Sequence, residues 1–190
     1  MRNEVLEPHD LAGIISTVPS DCPIEIEIGC GNGHFITSYG QQRDQSLLIG
    51  IDLKRKRCMK SAKKAENHGL SHIHILCARA ENIIYDLPES RIEIFHMYFP
   101  DPWPKNRHRR RRFFRSPQLR QLHRSLKSGG KIYFCTDFFD YYLQAKVLIL
   151  LQPGMALDEA KPPPEISCSL FSQRFSTMGK KLYFASAVKI

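Results

Sequence analysis

The sequence lacks any pair of cysteines close enough to form a CxxC: Cys22, Cys30, Cys58, Cys77, Cys135 and Cys168 are scattered. That spacing argues against a zinc knuckle or a thioredoxin-like redox site. Cys77 in IHILC and Cys135 in IYFCT stand in apolar runs, where a reduced, buried thiol is expected. There is also no basic-then-apolar leader, since the chain opens on the polar, acidic MRNEVLEPHD. The longest aliphatic run, Val147 to Leu151, is far too short to span a bilayer. These absences lead us to expect a cytoplasmic protein without a membrane partner. Acidic residues are in deficit, 19 against 28 Lys and Arg, which leaves a formal charge of +9. Such an excess favours a polyanionic partner, nucleic acid first.

What is present is the composition of one globular domain: 190 residues, 42% apolar and 10% aromatic. Residues 1–23 read as a short lead-in closed by Pro19 and Pro23. Ile24–Ile28 alternates with period two and runs into a glycine cluster, as a strand entering a tight turn does. Further strands are expected at Leu47–Ile51, Ile73–Cys77, Ile92–Phe99 and Ile132–Cys135. Helices are expected at His34–Tyr39, Lys54–His68, Gln118–Leu126 and Phe138–Leu151. Two late β-type runs, Ile166–Phe171 and Leu182–Val188, flank Gly179 and predict a terminal hairpin. Strands alternating with helices, and too continuously apolar for a one-faced sheet, indicate an α/β, doubly wound, mostly parallel sheet. The closing hairpin would add antiparallel strands at one edge.

Two stretches carry chemistry. Glu27-Ile28-Gly29-Cys30-Gly31-Asn32-Gly33 lies where the first strand meets the first helix, the position at which ligands bind in such folds. The dinucleotide pattern G-x-G-x-x-G fails from either Gly29 or Gly31, and no G-K-[ST] follows, so neither a nicotinamide fingerprint nor a P-loop is present. An acid followed by G-x-G-x-G remains, with Asp52 at the tip of the next strand. The second stretch is Tyr98 to Arg112, YFPDPWPKNRHRRRR. Two prolines fix the backbone on either side of Asp101. Trp103, the one tryptophan, is a candidate stacking platform or loop anchor. The Lys and Arg residues that follow, Lys105, Arg107 and Arg109 among them, are dense enough to neutralise several phosphates.

EIGCGNG, FPDPWPK with its following Arg107-His108 and arginines, LKSGG and CTD together resemble the tRNA (guanine-N(7)-)-methyltransferase family. The resemblance runs over nearly the whole chain from Glu27 onward. It implies a seven-stranded Rossmann-like class I methyltransferase fold with S-adenosylmethionine as cofactor. The cofactor contacts it implies are Glu27, Gly29, Gly31, Gly33, Asp52 and Asp101, with Ala80 and Glu81 beside the adenine. Asp101 would also take a catalytic or guanine-facing part. Lys105 and Asp137 would contact the substrate, a tRNA whose variable-loop guanosine at tRNA position 46 is the implied target. The family's T-x-F-E element aligns with Ser169-Leu170-Phe171-Ser172, so Ser172 supplies no carboxylate here. A second departure is Arg79, which stands where the family commonly has an acid and cannot accept the adenine amino hydrogens.

Guanine N(7) has a free lone pair, so an in-line transfer requires no general base and rests on alignment of the two reactants. Asp137 is equally readable as the N-cap of the helix that follows it. Other readings stay open: a methyltransferase of another RNA base or of protein, and a non-catalytic tRNA-binding module, in either case a monomer or a homodimer.

Overall fold

A computed structural model of the protein describes residues 5–159 and 161–190. Strand β1 (Val5–Leu6) and helix α1 (Asp10–Thr17) precede β2 (Ile24–Ile28), α2 (His34–Gly40), β3 (Leu47–Asp52) and α3 (Arg55–Asn67). Then come β4 (Ile73–Cys77), α4 (Ala80–Asp86), β5 (Ile92–Tyr98), a 3-10 helix (Asn106–Arg111), α5 (Ser116–Ser125) and β6 (Leu126–Thr136). The chain ends through α6 (Phe139–Leu151), β7 (Met155–Asp158), a second 3-10 helix (Pro164–Cys168), α7 (Leu170–Thr177) and β8 (Tyr183–Lys189). All strands join one sheet in the order β1-β4-β3-β2-β5-β6-β8-β7. The pairs from β1 to β6 are parallel, and β8 is antiparallel to both β6 and β7. Apolar side chains fill both faces. Leu11 and Ile15 of α1, Ile83 of α4, Leu122 of α5 and Ile149 of α6 cover one, and Phe35 and Tyr39 of α2 with Ala62 of α3 cover the other.

The doubly wound α/β architecture is the expected one, with four local differences. The sheet has eight strands, because Val5–Leu6 adds a parallel edge to β4; two residues show no periodicity to read. The strand expected at Ile166–Phe171 is instead helical. Its cause is local: Ser169 accepts the Ser172 backbone N–H at 3.0 Å and so starts α7. The partner of β8 in the closing antiparallel pair is therefore β7, reached through a turn at Gly154 (φ 75°). Helix α4, which the sequence reading left unassigned, buries Ile83 and Ile84.

The middle of the sheet contains a polar cluster. His96 Nε2 lies 2.9 Å from Glu25 Oε2 and its Nδ1 lies 2.9 Å from the Tyr98 hydroxyl, while the Tyr39 hydroxyl donates to Glu25 at 2.9 Å. Burial pushes the Glu25 carboxyl up, but the bonds and charge of His96, with the Tyr39 hydroxyl, more than offset this and leave it below the ordinary carboxylate value. Removing one partner of such a buried pair costs about 3–5 kcal/mol. We therefore expect Glu25→Ala to destabilise the protein on that scale at pH 7. Because the Glu25 carboxyl is lowered by folding, its contribution is present above the unfolded-state value and is lost as pH falls through the folded-state value. Urea melts at pH 7 and pH 4 should show the gap between wild type and variant shrinking in acid.

Candidate functional site

The parallel strands reverse their order about β2, with β3 on one side and β5 on the other, so the C-terminal ends of these strands open a crevice. The glycine turn sits there. The N–H groups of Gly29 and Cys30 both donate to the Ile51 carbonyl, at 2.8 and 3.0 Å, which suspends the turn from the tip of β3. Gly29, Gly31 and Gly33 all have positive φ (84°, 56° and 74°). At Gly33 a side chain is excluded twice, since a Cβ would also come within 2.9 Å of the Ser61 Cα. Asp52 closes the turn from the other side: its carboxylate accepts the Gly31 N–H at 3.1 Å and the Lys54 N–H at 2.8 Å.

A cavity of about 400 Å³ lies over the turn. Glu27, Gly29, Gly31, Phe35, Arg57 and Tyr98 line it. Phe99, just after β5, and Ser169, Phe171 and Arg174, at and within α7, line it too. Glu27 is 5% exposed and its Oε2 has no hydrogen-bond partner among the described residues. Burial pushes its carboxyl up to about 8, against a lowering by the Ile36 backbone N–H, and the nearby Asp52 raises it further. A desolvated carboxylate oxygen without a partner, at a cavity wall, fits a cationic group of a ligand.

The second stretch leaves from the same cavity. Phe99 turns out of β5 in the left-handed region (φ 52°), held by its N–H to the Cys135 carbonyl at 2.7 Å. Asp101 follows two residues later, exposed, with no hydrogen-bond or ion-pair partner among the described residues. Trp103 (φ 43°) is an anchor rather than an open platform, because the Arg111 guanidinium lies 4.9 Å from its ring centroid and His108 meets its ring edge-on at 5.9 Å.

The arginines divide into two kinds. Arg112 is buried, at 1% exposure. It donates to the Pro102 carbonyl (2.7 Å), to Gln144 Oε1 (2.6 Å) and to Asp140 Oδ2 (2.8 Å), and its guanidinium stacks 4.8 Å from the Tyr141 ring. Arg109 binds the other oxygen of Asp140 at 2.7 Å. Arg107, Arg110 and Arg111 are exposed, as is Lys105.

Of the expected site residues, the cavity brings together Glu27, Gly29, Gly31 and Ser169. Gly33 and Asp52 support the turn from behind it. Ala80 and Glu81 occupy the first turn of α4 and Asp101 the exposed loop, none of them among the described residues that line the cavity. Asp137 follows the tip of β6, where Lys180 Nζ meets its carboxylate at 2.6 Å. It is not a helix cap: Phe138 precedes α6, and the local side-chain bond is from the Phe138 N–H to Thr136 Oγ1. Ser172 is buried in α7. Sequence reasoning missed Phe99, Phe171, Arg174 and Arg57 as cavity residues. For Phe99 the signal was available, as the last residue of a strand before a proline loop.

A family model described as a putative methyltransferase matches residues 21–185. The tRNA (guanine-N(7)-)-methyltransferase of Bdellovibrio bacteriovorus is 30% identical over 168 residues, which cover 88% of this chain and 79% of that one. The chain belongs to the tRNA (guanine-N(7)-)-methyltransferase family. A further member, from Rubrobacter xylanophilus, is 33% identical over 127 residues, 67% of this chain and 57% of that protein. Among solved structures, one titled as an antibiotic-related methyltransferase superposes with a TM-score of 0.68 at 20% identity, covering 100% of this chain and 99% of that one, which is a likeness of fold. In this methyltransferase the glycine turn and Phe99, from which the PDPWPK loop departs, line the same cavity.

Two outcomes follow. Because the Glu27 carboxyl is raised by folding, its favourable contribution is complete below the unfolded-state value and is lost as pH rises through about 8. Glu27→Gln should thus gain stability over the wild type between pH 5 and pH 8, on the order of a few kcal/mol, and thermal melts of the ligand-free proteins at the two pH values would measure it. Arg112→Met should cost about 1–3 kcal/mol by leaving the Pro102 carbonyl and Gln144 Oε1 without their donor, since Asp140 is partly exposed and keeps Arg109, whereas Arg110→Ala should stay within about 0.5 kcal/mol. Equal melting temperatures for the two variants would contradict the division of the arginines.

Proposed function

We propose that the protein moves the methyl group of S-adenosylmethionine onto N(7) of a guanine in tRNA, the variable-loop guanosine at tRNA position 46 being the target. The observation that carries this reading is the partnerless buried carboxylate oxygen of Glu27, in a cavity from which the Asp101 loop and the arginines depart. S-adenosylmethionine supplies an electrophilic sulfonium methyl and a cationic amino group. Glu27 would hold the amino group and, in doing so, ionise; Asp52 would orient the ribose, and the glycines would let backbone lie close beneath the cofactor.

Acceptance of the methyl group leaves the purine cationic, so positive charge moves from the cofactor toward the base. Asp101 would stabilise that migration through its fixed negative charge. No residue need remove a proton, because N(7) offers a lone pair in the neutral base. The residues' task is alignment and exclusion of water, which Phe99 and Phe171 serve as cavity walls. Lys105, Arg107 and the exposed arginines would hold the RNA backbone, and Asp137 and Ser169 would face the base. The reaction takes place in the cytoplasm.

Purified protein should transfer labelled methyl from S-adenosylmethionine to unmodified tRNA, and nucleoside mass spectrometry should identify 7-methylguanosine. Asp101→Ala should abolish nearly all transfer with cofactor affinity changed less, and Glu27→Gln should weaken cofactor binding at least tenfold. Methylation at a carbon or exocyclic amine, or an Asp101→Ala variant as active as the wild type, would defeat this assignment.

A further inference from the structure

Beside the tip of β6, outside the cavity, lies an aromatic cluster that the mechanism does not use. The rings of Phe139, Tyr142 and Tyr183 lie with centroids 5.0–6.1 Å apart, the Phe139–Tyr142 and Tyr142–Tyr183 pairs each inclined by 29°. Phe139 is 50% exposed. Lysine ammonium groups lie over the two tyrosine rings, Lys146 Nζ 5.6 Å from the Tyr142 centroid and Lys181 Nζ 5.5 Å from that of Tyr183, so the open ring of the cluster is Phe139. Both acids nearby are already neutralised, Asp137 by Lys180 and Asp140 by Arg109 and Arg112.

The cluster is also joined to the arginine run. Asp140, the neighbour of Phe139 on the first turn of α6, binds both Arg109 and Arg112. Tyr183 is paired across the sheet with Thr136, the last residue before Asp137. An exposed phenylalanine ring backed by half-buried tyrosines that carry lysine ammonium groups, continuous with a basic segment on the same rim, has the chemistry that takes up an unpaired base: ring stacks on ring while ammonium groups meet phosphates.

We infer that Phe139, backed by Tyr142 and Tyr183, is a stacking platform for an unpaired nucleotide of the RNA substrate, distinct from the guanine that is methylated. This rests on the reading of the site as one that acts on tRNA. The rival occupant is a second copy of the chain, since Leu143, Val147 and Leu150 continue an exposed apolar stripe along α6. The charge at the platform opposes that occupant: two copies meeting there would bring Lys146 and Lys181 against their own counterparts, whereas RNA supplies the opposite sign.

The test is equilibrium binding, without methyl transfer, of an unmodified tRNA transcript and of a fully paired RNA duplex to wild type, Phe139→Ala and Phe139→Trp. Stacking of one base predicts that Phe139→Ala weakens tRNA binding roughly ten- to hundredfold and leaves duplex binding unchanged, while Phe139→Trp retains the affinity for tRNA. Affinity for S-adenosylhomocysteine should be the same in all three. Unchanged tRNA affinity in Phe139→Ala, or equal weakening toward tRNA and duplex, overturns the platform. So does a wild-type dimer in sedimentation that Phe139→Ala dissociates, which would make this face a contact between copies. Because binding is read without turnover, a wild type that binds tRNA but methylates nothing would count against the proposed reaction and not against the platform.

Discussion

One guanidinium withdrawn from water holds the working rim together. Arg112 spends its donors on the Pro102 carbonyl, on Gln144 and on Asp140, so the loop that bears Asp101 is fastened to the first two turns of α6. A lysine could not replace it, because three acceptors in different directions need the forked, planar donor geometry of arginine. Its acid partner, Asp140, also engages Arg109, so two members of the arginine run are tied to the first turn of α6. The prolines around Asp101 limit the loop's freedom; Arg112 decides where the restricted loop lies.

The strand β2 puts two acids on one face with opposite electrostatic fates. Glu25 is met by His96 and Tyr39, and its carboxyl lies below the usual range. Glu27, two residues closer to the crevice, has a single backbone donor and is pushed up. Strand alternation makes them neighbours on the same side, and the difference lies in what the adjoining strand and helix offer each of them. An acid satisfied within the fold contributes to stability, while one left partly unsatisfied at a cavity wall is held toward its neutral form by burial.

Much of this was legible in the residues. One period-two run, Ile24–Ile28, and several continuously apolar ones located the main strands, and the glycine cluster marked the turn that follows the first of them. The PDPWPK loop was legible because its prolines and its lone tryptophan are rare in combination. What escaped has physical reasons. Arg112 is chemically identical to the three arginines before it, and only the tertiary packing of α6 against the end of the 3-10 helix selects it for burial. The stretch from Ile166 to Phe171 has apolar residues compatible with either period, and a single serine hydroxyl at Ser169 tips it into helix. Strands of two and four residues, β1 and β7, carry too little pattern to be read at all.

Those two short strands have a consequence of their own. An open sheet has two margins, and each margin presents a row of unpaired backbone groups that can template the addition of a foreign strand. Here, among the described residues, both margins are closed by the briefest strands, Val5–Leu6 and Met155–Asp158. A would-be fibril therefore finds only a few residues to pair with at either end, and the long, continuously apolar strands that build the core remain in the interior of the sheet.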